Sequence, residues 1–217
     1  MIHRIRAPWA LGWCCVSLLV VASGCGILDP QPDVSKFYVL TSRTGASTAE
    51  LNGSPSLGRP MVAVGPVRFP DYLNRSQMAA RLSENEVQYS DVHRWAEPLE
   101  TNFKRVLSQD LAFALGRVDV ITYPYVGRRP IYEVPLEVLR FETDESGTAH
   151  LTARWGVRDG KTRAGLYTAE SQLSEPAAAP GVQASVAALS AAVTRLSEEI
   201  AAAVRQLGST PRASPSR

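Results

Sequence analysis

An apolar run, WALGWCCVSLLVV from Trp9 to Val21, decides where the rest of this chain folds and by what means it is stabilised. It follows a short segment that carries Arg4 and Arg6 and no acid. Its length suits the hydrophobic region of an export signal and is too short to span a bilayer comfortably. The small residues Ala22, Ser23 and Gly24 come next, then Cys25, then a polar stretch with Asp29, Pro30, Gln31 and Pro32. We read residues 1–24 as a signal segment, 25–35 as a tether, 36–207 as one folded domain and 208–217 as a solvated tail.

A small-residue site ending in cysteine resembles the bacterial lipobox, whose Cys is diacylated and becomes the new amino terminus. Ala22 stands where that motif usually has Leu. Two acyl chains turn marginal membrane binding into stable anchoring. Gly26 is not the Asp that resembles an inner-membrane retention signal, so the expected address is the periplasmic face of the outer membrane. An ordinary secretory signal with an incidental cysteine, or an uncleaved anchor, are the alternatives.

Loss of residues 1–24 removes two arginines and no acid, leaving 21 basic residues against 21 acidic. A formally neutral domain carries no electrostatic footprint for nucleic acid. Cys14 and Cys15 lie in the signal segment and Cys25 is the acylation site, so no disulfide is available to the domain. Its stability must come from a hydrophobic core, and a domain of ~190 residues buries roughly 70 % of its unfolded surface.

The patterning predicts α+β architecture, a largely antiparallel sheet covered by two main helices. SKFYVLTS (35–42) and PMVAVGPVRFP (60–70) read as strands separated by a long polar loop, with Val62, Val64 and Val67 facing the core. MAARLS and ENEVQYSD form a hairpin turning at Ser83 to Asn85. From Glu97 to Leu115 the apolar positions Leu99, Phe103, Val106, Leu107, Leu111 and Ala114 fall on one helical stripe. Pro98 suits the first turn, and Gly116 stops the helix as a left-handed cap. RVDVITYP (117–124) is the next strand. In IYEVPLEVLRFE (131–142), Tyr132, Val134, Leu136 and Val138 alternate with Glu133, Pro135 and Glu137, predicting one buried and one wet face. Pro135 cannot donate to a ladder and implies an edge or a bulge. THLTARWGV and the strand beginning near Arg163 complete a meander. From Gly181 to Leu207, Val182, Val186, Leu189, Val193, Leu196, Ile200, Val204 and Leu207 recur at three- and four-residue intervals. The stripe fits a helix lying across the sheet or a coiled-coil seam between subunits.

Catalytic candidates are few. Beyond residue 24 only His93 and His150 remain; a metal role for His93 with Glu97 is undone by Pro98, which puts the helix start after the histidine. GVRDGKT (156–162) lacks the first glycine of a phosphate loop, Trp155 standing in its place, and Asp159-Gly160 is a hairpin turn. No nucleophile elbow, zinc-protease motif or cysteine pair occurs. The expectation is a protein that is not an enzyme and holds no cofactor and no metal.

One dense block carries a resemblance. VGPVRFPDYLNRSQMAARLSENEVQYSDVHRWAEPLETNF, Val64 to Phe103, is similar to the signature of the PqiC (YmbA) family of ABC-type transport auxiliary lipoproteins. The matching positions are Pro70, Tyr72, Leu73, Arg75 and Gln77, then His93, Arg94, Trp95, Ala96, Glu97, Pro98 and Leu99, and FYVLT (37–41) and YEVPLEVLRFE (132–142) also match. The resemblance implies an auxiliary subunit of a lipid-trafficking system that supports envelope integrity, meeting a PqiB-like MCE-domain protein and its inner-membrane transporter. It implies no catalytic residue. Within the block, Trp95 suits a helix-to-sheet seal, while Arg75 and Arg94 with Trp95 are candidates to face a partner or, for the arginines, a lipid head group. Self-association, as a ring around the end of a tube, is a further expectation. Direct phospholipid carriage between sheet and final helix is the alternative function.

Overall fold

A computed structural model describes residues 33–43 and 58–209. The strands are β1 (Lys36–Tyr38), β2 (Met61–Arg68), β3 (Gln77–Ser83), β4 (Glu86–Trp95), β5 (Asp119–Thr122), β6 (Tyr132–Asp144), β7 (Ala149–Asp159) and β8 (Gly165–Glu175). The helices are α1 (Leu99–Leu115) and α2 (Val182–Ser209), and from Ser35 onward the chain forms one compact unit. The architecture is α+β, as the patterning predicts.

The longest ladders are antiparallel hairpins, β3–β4, β6–β7 and β7–β8. Parallel ladders join them: β1 to β4, β2 to both β5 and β6, and β3 to β6. The sheet is therefore mixed. β6 is its hub: it carries β7 along one edge, and on the other β2 against Tyr132–Glu137 and then β3 against Thr143 and Asp144.

Pro135 thus sits inside a central strand, and the edge alternative does not hold. The bulge alternative does, on the neighbouring strand: β2 spends three steps from Val64 to Val67 while β6 spends two from Val134 to Leu136. The ladder lapses where Pro135 has no N–H to give.

Both helices pack on the face presented by Val62, Val64, Val134, Leu136, Leu151, Ala153 and Val157. Phe69, Phe103 and Phe141 lock α1 onto this face through edge-to-face contacts with centroids 5.2 to 6.3 Å apart. Val186, Leu189, Val193, Leu196, Ile200 and Val204 of α2 are all buried, so the long stripe is spent on the sheet and on α1 within one chain. Gly116 closes α1 at φ 67°, its N–H donating to the carbonyl of Ala112. The β7–β8 connection turns where sequence places it: Asp159 Oδ1 accepts from the N–H groups of Lys161 and Thr162. Gly160 there leaves no room for a side chain, since a Cβ would fall 1.9 Å from the Pro130 carbonyl oxygen.

The wet face of β6 needs one correction. Glu137 is exposed, but Glu133 is buried, accepting from the Tyr125 hydroxyl at 2.6 Å and facing the Arg163 guanidinium at 3.4 Å. Alternation predicts which side of the sheet a residue takes, not what later covers that side.

Candidate functional site

The signature block folds into one corner of the domain. After β2, Pro70 starts a single 3-10 turn, Asp71–Leu73, closed by the Leu73 N–H on the Pro70 carbonyl. Leu73 drops into the core, and Tyr72 is partly buried against it. The Tyr72 hydroxyl donates to Glu142 Oε2 at 2.7 Å, and Arg81 Nε and Arg140 Nε each donate to Oε1 at 2.7 Å. Glu142 has no exposed side-chain surface. Burial alone would push its carboxyl up, but the hydrogen bonds from Arg81, Tyr72 and Arg140 outweigh it and hold the group below its ordinary value. The Tyr72 phenol moves the other way, raised by burial and then by the carboxylate it serves. A buried carboxylate held by two guanidiniums and a phenol is a structural rivet joining the turn, β3 and β6.

Around this rivet the rest of the motif falls into place. The Tyr89 hydroxyl donates to the Tyr72 carbonyl, and the Arg75 guanidinium lies 4.6 Å over the Tyr89 ring. His93 Nδ1 and the Tyr38 hydroxyl are 3.1 Å apart. Trp95 is only 6 % exposed and packs in the core, with its backbone N–H on the Ser76 carbonyl, so it serves the seal at the helix-to-sheet junction. Glu97 accepts from Arg105 at 2.7 Å across the first turns of α1, and Leu99 is buried.

An open groove of about 270 Å³ runs between Asn74, Arg75, Ser76, Trp95, Glu97, Pro98 and Leu99. The structure thus brings Arg75 and Trp95 to one groove, with Arg75 exposed at its rim. Arg94 does not line it; as the neighbour of Trp95 on β4 it points to the opposite face of the sheet. Cys25 and Gly26 lie outside the described residues.

Elsewhere, Asp110 of α1 accepts from the Arg43 N–H and the Thr194 hydroxyl, tying the loop after β1 and α2 to one helix. Burial raises its carboxyl despite those bonds. His150 sits between Asp144, 3.0 Å from Nε2, and the Ser174 hydroxyl. Among the described residues no group of three His, Cys, Asp or Glu side chains is placed to hold a metal ion, and no helix is long and apolar enough to cross a membrane.

Sequence reasoning missed Glu142, Tyr89 and Asp110. Glu142 follows Arg140 by two positions, a same-face pair that signals an ion pair, but nothing local announces that Tyr72 and Arg81 close over it. Asp110 lies beside Leu107 and Leu111 on the buried stripe, and a carboxylate there must find partners.

A family model described as an ABC-type transport auxiliary lipoprotein component matches residues 38–201. Among solved structures, an uncharacterized protein superposes with a TM-score of 0.65 at 18 % identity, covering 78 % of this chain and 98 % of that one. The Xanthomonas campestris protein XCC0632, assigned to the DUF330 family, gives a TM-score of 0.62 at 16 % identity, covering 81 % of this chain and all of that one. These likenesses establish the fold. No curated protein matches the sequence.

Proposed function

Because the chain belongs to the family of ABC-type transport auxiliary lipoprotein components, we propose that it is the outer-membrane-anchored auxiliary subunit of an MCE-type, Pqi-like intermembrane lipid transport system. Residues 1–24 are removed as a signal peptide, Cys25 carries the acyl groups, Gly26 permits sorting to the outer membrane and residues 25–35 form the tether. The domain of residues 36–207 then docks, without chemistry of its own, on a PqiB-like MCE-domain protein that is joined to an inner-membrane transporter. Residues 208–217 are a solvated tail. The observation that carries this reading is the family match from residue 38 to residue 201, beginning just beyond a lipobox-like cysteine.

Within the signature block the side chains divide by role. Tyr72, Leu73, Trp95 and Leu99 are consumed by the fold, whereas Arg75, stacked over Tyr89, stands exposed beside a groove where its N–H donors can meet a carboxylate-bearing partner. Cross-linking of intact envelopes, followed by recovery of the acylated protein, is expected to bring down an MCE-domain protein. Repeated recovery without one overturns the reading.

The carrier alternative draws its motivation from the apolar stripe of the last helix. That stripe packs against the sheet and α1, which removes the motivation. Self-association around the end of a tube is part of the proposal, and sedimentation of the domain as a monomer at high concentration counts against it.

A further inference from the structure

The first strand of the domain and the residue after it present two apolar side chains outward. Phe37 is 61 % exposed and Val39 43 %, while Tyr38 and Leu40 between and after them turn to the core. Phe37 is the register partner of Arg94 in the parallel β1–β4 ladder, so the two side chains stand next to each other on the sheet face away from the helices. The Arg94 guanidinium is poorly spent. Its one hydrogen bond among the described residues runs from Nη2 to the Asp91 carbonyl at 3.5 Å, and its Nε is buried without a partner. An arginine has five N–H donors in a fork that matches phosphate.

The position of this patch in the chain names its occupant. Lys36 lies 11 residues beyond Cys25, a span of at most about 40 Å when fully extended. On the reading that Cys25 is acylated, β1 is the first part of the domain the tether reaches, and its outward face is kept at high effective concentration beside the lipid head groups. Exposed aromatic and aliphatic side chains beside a guanidinium with donors still to place are what a phospholipid interface receives: the apolar groups enter the acyl boundary and the cation meets phosphate.

We propose that Phe37, Val39 and Arg94 form a membrane-contact patch that seats the domain on the phospholipid leaflet holding its anchor. The inference rests on the anchoring reading above and adds to it an orientation. The acylated protein is reconstituted in vesicles of phosphatidylethanolamine and phosphatidylglycerol with brominated acyl chains, using Phe37→Trp as the reporter. Beyond residue 24 the parent has only Trp95 and Trp155, both buried and so shielded from the bromines, and their emission is a constant background subtracted with the parent protein.

Fluorescence of the Phe37→Trp reporter is expected to fall by about twofold or more relative to unbrominated vesicles. Val126→Trp, at a fully exposed loop position after β5 at the other end of the sheet path, is expected to change no more than the parent. Arg94→Gln in the reporter background should lower the quenching, and unchanged quenching would overturn the patch as stated. Equal quenching of the reporters at positions 37 and 126 would overturn it as well. Emission from the Phe37→Trp protein that is blue-shifted in detergent and unquenched in vesicles would overturn it in favour of contact with a second copy. Mass analysis of the amino-terminal peptide separates the two readings: missing acyl groups sink the anchor and the patch together, whereas an acylated protein whose reporter at position 37 stays unquenched sinks the patch alone.

Discussion

Tyr72→Phe removes one oxygen and tests whether the signature tyrosine is there for the fold. The lost hydroxyl donates to a fully buried, ionised Glu142. A hydrogen bond to a charged group contributes about 1.5–3 kcal/mol. Glu142 is not orphaned by the change, because Arg81 and Arg140 still hold Oε1; Oε2 retains only the Phe141 N–H at 3.3 Å. The loss therefore falls near the middle of that range, about 2 kcal/mol. For a domain of this size that corresponds to a drop of roughly 4–8 °C in Tm. Urea unfolding of the domain from Ser35 onward, followed by tryptophan fluorescence, measures it directly. The penalty also has a pH signature. The folded carboxyl of Glu142 is depressed, so its contribution is complete above the ordinary value of 4.5 and is lost as pH falls through the folded value. The gap between variant and parent should accordingly close in acid. A loss under ~0.5 kcal/mol at neutral pH, within the usual range for surface substitutions, refutes the rivet.

Ile200→Ala, at a fully buried position of α2, should cost about 2–5 kcal/mol in unfolding free energy; a subunit-interface role would instead change sedimentation and spare the monomer. Asp144 is raised by desolvation but lowered more by Ser146, His150 and Thr148, to about 2. Its contribution is thus present above its ordinary 3.8 and lost as pH falls toward 2, and because the side chain is 35 % exposed the shift is discounted to about 1 kcal/mol. Asp144→Asn should flatten the stability curve over that window, and an unchanged acid limb tells against the turn. Cys25→Ala should leave the urea midpoint of the domain unchanged and remove the protein from the outer-membrane fraction; unchanged fractionation means that partner contacts hold it there.

The helices and the β7–β8 hairpin were legible in the sequence because their determinants are local. The stripe from Val186 to Val204 fixes which face of α2 is buried, Gly116 ends α1, and Asp159-Gly160 makes its own turn. What was illegible is non-local. Nothing within KFY announces a parallel partner in VHRW, and nothing near Met61 points to Asp119. The same limit hid Glu133 and Glu142: alternation sends Glu133 outward, the register shift between Val138 and Arg140 turns Glu142 to that same side, and only chain arriving from Tyr125 and Tyr72 buries them. In the site, the motif named Tyr72, Arg75 and Trp95 together, but the division between fold and surface needed burial and direction, which spacing alone does not carry.

β1 is three residues long and joins the sheet through one parallel ladder to β4. Beyond it the chain is secured by Leu40 in the core, by the Thr41 N–H on Ser190 and by the Arg43 N–H on Asp110. Any load drawn through the amino-terminal segment meets these fastenings in series, the weakest first. Under tension the short strand can peel away while Leu40 and the two side-chain bolts still hold, giving the tether some residues of slack before the remaining sheet feels the pull. On the anchoring and docking proposed above, the domain would then yield at its leash before it yields at its core.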